Sequence, residues 1–228
     1  MPKRYLLPVV EFHLLVFLIA LAVITKPSIF VLSATTHAVI SEVQISGDSA
    51  DSGNDEFVEL YNPTSDPIIM TDWKLTRKNS SGTEANLVAD LDGTIPAHGY
   101  FLIGHGTGYN GGVTLDASYS APSNALTNDY TVLLYSDNQI TLVDKVGFGT
   151  STDPEGSAVS ENPAANGSIE RKPGVSDPTG GNGTDTENNA NDFDQRVTSD
   201  PQNSNSATET PAPDASPSPS PDVSPSPT

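Results

Sequence analysis

Residues 55–76, DEFVELYNPTSDPIIMTDWKLT, set two short apolar runs against each other across an Asn-Pro turn. In EFVELY, Phe57, Glu59 and Tyr61 alternate with Val58 and Leu60, the period of two expected of a strand. Between the runs, Pro63 fixes φ and the Asn62 side chain is placed to hydrogen-bond the turn backbone. The chain's single tryptophan, Trp73, shares a strand face with Leu75, so both are expected to point into one core. With acidic groups on both runs, the stretch reads either as an acidic cleft with an aromatic floor or as the nucleus of a β-sandwich.

The neighbouring segments favour the sandwich. In HAVISEVQI, Val39, Ser41, Val43 and Ile45 are expected on one face, with Ile40, Glu42 and Gln44 on the other. Further apolar runs, ANLVADL, GYFLIG, YTVLLYS and ITLVDKVGFG, are punctuated by SGDSADSGND, KNSSGTE, DGTIPAHG and SDNQ. YTVLLYSDNQITLVDKVGFG is the clearest hairpin, turning at Ser136 to Gln139. About seven such strands without a helical stretch indicate an all-β sandwich.

The two ends have other compositions. Lys3 and Arg4 precede an unbroken apolar run from Leu14 to Ile24, the pattern of an export signal over residues 1–34, cleaved or retained as an N-terminal anchor. From residue 199 to residue 228 there is no Lys, Arg or aromatic residue, and Ser-Pro repeats close the segment. Such a composition predicts a disordered, extended Pro/Ser-rich stalk. The formal net charge is −19, and there is no cysteine. That balance repels nucleic-acid phosphates and anionic lipid, so no nucleic-acid partner is expected and membrane contact is confined to the N-terminal segment.

In order along the chain, VISEVQI, DEFVELYNPT, WKL after a Pro-Ile-Ile strand, IPAHGYFLI, LTNDYTVLLY, VDKVGFG and SIERKP resemble the lamin tail domain family. DTENNANDF at 185–193 resembles an extension of its bacterial members. The resemblance implies an immunoglobulin-like β-sandwich over residues 35–173, an Asp/Asn-rich extension over 174–198, and an exported prokaryotic protein. Two local departures stand out: Thr71-Asp72 where Ser-Gly usually precedes the tryptophan, and Thr127-Asn128-Asp129 without the usual glycine. No heptad rod and no C-terminal Cys motif accompany the domain.

The groups capable of chemistry are few. His37, His98 and His105 lack a G-x-S-x-G elbow or an H-E-x-x-H motif to work with. Glu42 and Glu59 can approach each other if the first two strands pair, and two close carboxylates are the apparatus of a glycoside hydrolase. The resemblance instead implies a scaffold role for them, with Arg171 a candidate ion-pair partner that fixes register. Asn62 and Trp73 complete the structural set. In DTENNANDFD, Asp185, Glu187, Asn189 and Asp192 offer hard oxygen ligands suited to Ca²⁺, unless the segment is an Asx-rich turn that sets Phe193 on the domain. GDSADSGND, with Asp48, Asp51 and Asp55, is a weaker version of the same pattern. The expected function is a secreted or cell-surface, non-catalytic module that binds an extracellular macromolecule or envelope component, with no cofactor unless Ca²⁺ binds. A calcium-dependent adhesion module and a secreted hydrolase using Glu42 and Glu59 are the alternatives.

Overall fold

Alternating strands in this chain have two sheets to fill, and the apolar residues divide between them. The computed structural model describes residues 35–47, 53–120, 125–137, 140–173 and 180–211. The expected export signal, residues 212–228 of the expected stalk, and Asp48 and Asp51 lie outside the described residues. Ten strands form: β1 (Val39–Gln44), β2 (Phe57–Tyr61), β3 (Ile68–Lys78), β4 (Glu84–Ile95), β5 (Tyr100–His105), β6 (Ala117–Tyr119), β7 (Thr131–Ser136), β8 (Thr141–Gly147), β9 (Ser168–Arg171) and β10 (Phe193–Arg196). One short helix, α1 (Asn189–Asp192), precedes β10. A six-stranded sheet runs β10-β9-β1-β2-β5-β6, and a four-stranded sheet runs β4-β3-β7-β8. All described strand pairs are antiparallel except β5 with β6.

The architecture is the β-sandwich expected from the alternation, of the immunoglobulin-like kind that the resemblance implies. Ile40, Val43, Val58, Leu60, Phe101 and Ile103 of the larger sheet meet Met70, Leu75, Leu91, Val132, Leu134 and Val146 of the smaller one in a single core. The hairpin read in YTVLLYSDNQITLVDKVGFG is β7 with β8.

The faces of β1 differ from the sequence reading. A register shift between Ile40 and Glu42 interrupts the alternation in β1. Ile40 therefore joins Val43 and Ile45 in the main core, while Val39 packs with Tyr61 and Tyr100 outside it. An extra residue in one strand moves everything on one side of it to the opposite face. Register also shifts on both sides of Trp73, which is only partly buried against the core, whereas Leu75 beside it is wholly enclosed. Asp72, which stands at the first glycine departure, sits at φ 55°, a left-handed position that aspartate tolerates; at the second the left-handed residue is Asp129 itself (φ 64°), not Asn128 before it.

The turn at Asn62 is as expected. Its Nδ2 donates to the carbonyls of Asp66 (2.9 Å) and Pro96 (3.0 Å), and its Oδ1 accepts from Thr64 N (2.9 Å) and Thr64 Oγ1 (2.7 Å).

The C-terminal part departs most from expectation. The extension after residue 173 is no appendage: Phe193 to Arg196 add β10 to the larger sheet, and Phe193 enters the core. Residues 199–211, expected in the stalk, lie across the outer face of that sheet. Glu209 N donates to His98 O (2.8 Å), Gly181 N to Thr210 O (3.0 Å), and Asn203 Nδ2 to Thr114 O (2.7 Å). All of β2 is consequently buried on both faces. Composition misleads here because hydrogen bonds, not apolar side chains, hold the segment. Among the described residues, no helix is long and apolar enough to cross a membrane.

Candidate functional site

Two clusters of ionisable side chains are built into the larger sheet, one on each side of it. Strand pairing makes the first. Glu42 of β1 is the direct partner of Glu59 on β2 and of Glu170 on β9, which sets three carboxyl groups in a row across the outer face. Their exposures are 0%, 1% and 5%. Glu59 Oε1 accepts from Ser41 Oγ (2.6 Å) and its Oε2 from Gln202 N (2.5 Å). Glu42 Oε1 accepts from Ser168 Oγ and from Asp200 N (3.1 Å), whereas its buried Oε2 has no hydrogen-bond partner. Glu170 is held by Arg196 Nη1 (2.5 Å) and Asn182 Nδ2 (3.3 Å).

Burial dominates the electrostatics of this row. Loss of water pushes the Glu42 carboxyl up to about 7 against the opposing bonds from Ser168 and Asp200. The same burial, then the neighbouring Glu42 charge, holds Glu59 well above the ordinary carboxylate range. Glu170 is also raised by burial, with Arg196 opposing. Two carboxyls with such environments are chemically able to exchange protons. In this arrangement both are buried beneath the N–H groups of Asp200 and Gln202.

The second cluster surrounds Arg171, which is fully buried. Successive residues of a strand face opposite ways, so Arg171 points away from the face that carries Glu170. The expected pairing of Arg171 with Glu42 or Glu59 is therefore replaced by one with Asp144 of β8: Nη2 donates to Asp144 Oδ2 at 2.7 Å. Nε donates to Ile40 O (2.9 Å) and Nη1 to Thr184 O (2.8 Å), while the guanidinium lies 4.7 Å from the Phe193 ring centroid. Asp185 and Asp192 stand 3.8 and 3.7 Å from Nη1. Asp144 Oδ2 also accepts from Ile40 N (2.6 Å), so one arginine-carboxylate pair ties β1, β8 and β9 together. Burial still raises Asp144, with the Arg171 charge opposing.

The expected calcium ligands only partly converge. Asp185 and Asp192 meet Glu155, with one oxygen of each within 4.8 Å of the others. Glu187 is exposed and stands at φ 58°. Asn189 is committed elsewhere: Oδ1 accepts from Gly147 N (2.9 Å) and Glu155 N (3.0 Å), and Nδ2 donates to Lys145 O (3.0 Å). Asp192 accepts from Thr186 N (3.1 Å) and Thr186 Oγ1 (2.6 Å). Burial, then the charges of Asp144 and Asp185, push Glu155 up to about 8. The segment matches the Asx-rich turn that sets Phe193 on the domain.

Away from these clusters, Glu56 is wholly buried, accepts from Ala125 N (3.1 Å) and Leu126 N (2.7 Å), and is pushed up to about 7 by burial. Asp55 accepts from Asn110 N (3.1 Å). His105 is buried with its ring edge-on to Tyr119, and His37 Nε2 lies 3.5 Å from Asp185.

Sequence reasoning misses Asp144, Glu155, Glu170, Arg196 and the whole of 199–211. A signal exists for Asp144, an acid two residues before Val146 and so on the same inward face of β8. None marks Arg196 or the backbone donors of 199–211.

A family model described as Lamin Tail Domain matches residues 32–150, just over half of the 228-residue chain. The span takes in β1 to β8 and stops short of β9, α1, β10 and residues 199–211. No curated protein matches the chain.

Proposed function

The chain belongs to the lamin tail domain family, and from that premise we propose that it is a non-catalytic interaction module, exported and displayed at the cell surface, that binds a macromolecule of the cell envelope. The observation that carries the non-catalytic reading is the enclosure of Glu42 and Glu59, whose oxygens accept from main-chain N–H groups and neighbouring hydroxyls. Support for export is the basic residues Lys3 and Arg4 ahead of the apolar run Leu14 to Ile24. The test is incubation of the purified full chain with isolated envelopes of its host. The protein should sediment with them saturably and release no soluble sugar or peptide. Release of product that Glu59→Gln abolishes would replace this reading with a hydrolase.

A calcium-dependent adhesion module is a second reading, favoured by the convergence of Glu155, Asp185 and Asp192. Against it, Arg171 already supplies a cation to two of the three carboxylates. Chelator-treated protein is expected to melt at the same temperature with and without millimolar Ca²⁺. Binding of native protein at a hundred times Kd would add about 2.7 kcal/mol, so a rise of several degrees would install calcium.

A further inference from the structure

Residues 199–211 contact the outer face of the six-stranded sheet with a period of two. Asp200 N donates to Glu42 (3.1 Å), Gln202 N to Glu59 (2.5 Å) and Ser204 N to Asp116 Oδ2 (2.9 Å). Alternate N–H groups of one segment thus meet a row of carboxyl groups. Ser204 Oγ adds a bond to Asp116 Oδ1 (2.6 Å), Tyr100 Oη donates to Glu209 Oε2 (2.7 Å), and Tyr61 Oη donates to Glu209 O. Ala207 and the prolines are the segment's only apolar side chains, so nearly all of its hold is polar.

The groups under and around the segment carry a marked charge imbalance. Glu42 from β1, Glu59 from β2 and Glu170 from β9 face Arg196 from β10 and Asp200 from the segment itself. Tyr61 and Tyr100 face Glu209, and Tyr109 from the loop after β5 feels Asp55, Glu42 and Glu59. Arg196 is the one guanidinium among them, and it pairs with Glu170 and, at 3.4 Å, with Asp200 of the segment. The unpartnered Oε2 of Glu42 lies in the middle of this enclosure, where a proton is tolerated and a charge is not.

We propose that residues 199–211 are a pH-gated strap, closed over the outer face when the carboxyl cluster beneath it is protonated and lifting from that face as the cluster becomes anionic. Lifting exposes Tyr61 and Tyr100 together with four carboxylates, Glu42, Glu59, Glu170 and Asp116. Lifting uncovers the Glu42 and Glu59 that the closed form encloses, but the envelope reading is judged by sedimentation and product release and the gate by amide protection, so the two ideas fail separately.

The sign follows from linkage. Lifting returns water to Glu42 and also removes the Asp200 N–H bond that favours its charge; burial is the larger of the two, so Glu42 falls from about 7 towards 4.5 on opening. The closed form therefore binds the proton, and opening is favoured progressively as pH rises from 4.5 to about 7. If lifting releases the whole shift, every pH unit crossed between those two values multiplies the open-to-closed ratio about tenfold, so the upper scale for Glu42 alone is on the order of a hundredfold between pH 5 and pH 8.

Amide hydrogen exchange on the full chain tests this, with each rate divided by the unstructured rate at the same pH. The amides of Asp200, Gln202 and Ser204 should be less protected than those of β7 at both pH values. Their protection should fall about a hundredfold from pH 5 to pH 8. In the double variant Glu42→Gln, Glu59→Gln, which removes the two central titrating groups and leaves Glu170, strap protection should lose most of its dependence on pH. Three results each overturn the gate. They are strap protection equal to that of β7 at both values, protection unchanged between them, and a fall that the double substitution leaves undiminished.

Discussion

Arg171→Met is expected to cost about 3–5 kcal/mol of unfolding free energy, the usual consequence of stripping one partner from a buried ion pair. Methionine approximates the length of the arginine stem but leaves Asp144, 1% exposed at its side chain, without its cation. Asp185 and Asp192 lose the same charge from 3.8 and 3.7 Å, and Ile40 O and Thr184 O lose their guanidinium donors. For a domain of this size the loss corresponds to a melting temperature lower by roughly 6–20 °C. Thermal denaturation at pH 7 reads it directly. Adding Asp144→Asn should recover part of the loss, because the second substitution removes the orphaned charge; additive losses would mean that the two side chains are not coupled. A single-variant loss below about 1 kcal/mol would place Arg171 among dispensable surface-like pairs.

The residues that carry this prediction show where the sequence is legible. SIERKP marks Arg171 as an ion-pair residue, and its buried, register-fixing role is found, but with another acid. Sequence points to the wrong partner because Glu42 and Glu59 are the conspicuous carboxylates, and only strand alternation at Glu170-Arg171 shows that the arginine faces the opposite side. Core strands are readable because each needs only local periodicity: Val58 and Leu60 face the core as their alternation with Phe57, Glu59 and Tyr61 requires. The bulge after Ile40 is not readable, since no glycine marks it and its cause lies in pairing with β2. Residues 199–211 escape the sequence reading most completely, for a related reason. Their affinity for the domain resides in their own N–H groups and in carboxyl groups more than a hundred residues earlier, neither of which contributes to a hydropathy pattern.

Those carboxyl groups also make the whole domain more stable in mild acid, against the habit of acidic proteins whose native carboxylates are ion-paired. Glu42 and Glu56 each rise from 4.5 to about 7 on folding, chiefly through burial. A group raised in the folded state contributes its stability fully below the unfolded value of 4.5 and loses it as pH climbs through about 7. Two groups raised that far set an upper scale of about 3 kcal/mol apiece. Asp129 and Asp153 are lowered by hydrogen bonds from Thr150 and Lys78 and act in the opposite sense, but only in more acidic solution and from exposed positions. The melting temperature should therefore rise by roughly 10 °C or more between pH 8 and pH 5. Measurement in high salt separates this effect from relief of the general repulsion in a chain of net charge −19. A flat profile in high salt would sink the account. Glu56→Gln gives the sharper test, because Glu56 binds Ala125 N and Leu126 N, remote from the strap's contacts. The amide can accept only one of those two bonds unchanged, so some stability is lost at every pH. What identifies titration is the slope: the variant should lose up to about 1.4 kcal/mol per pH unit of the dependence between pH 5 and 7. A variant that is merely less stable, with the slope of the parent, would show that Glu56 stays charged inside the fold.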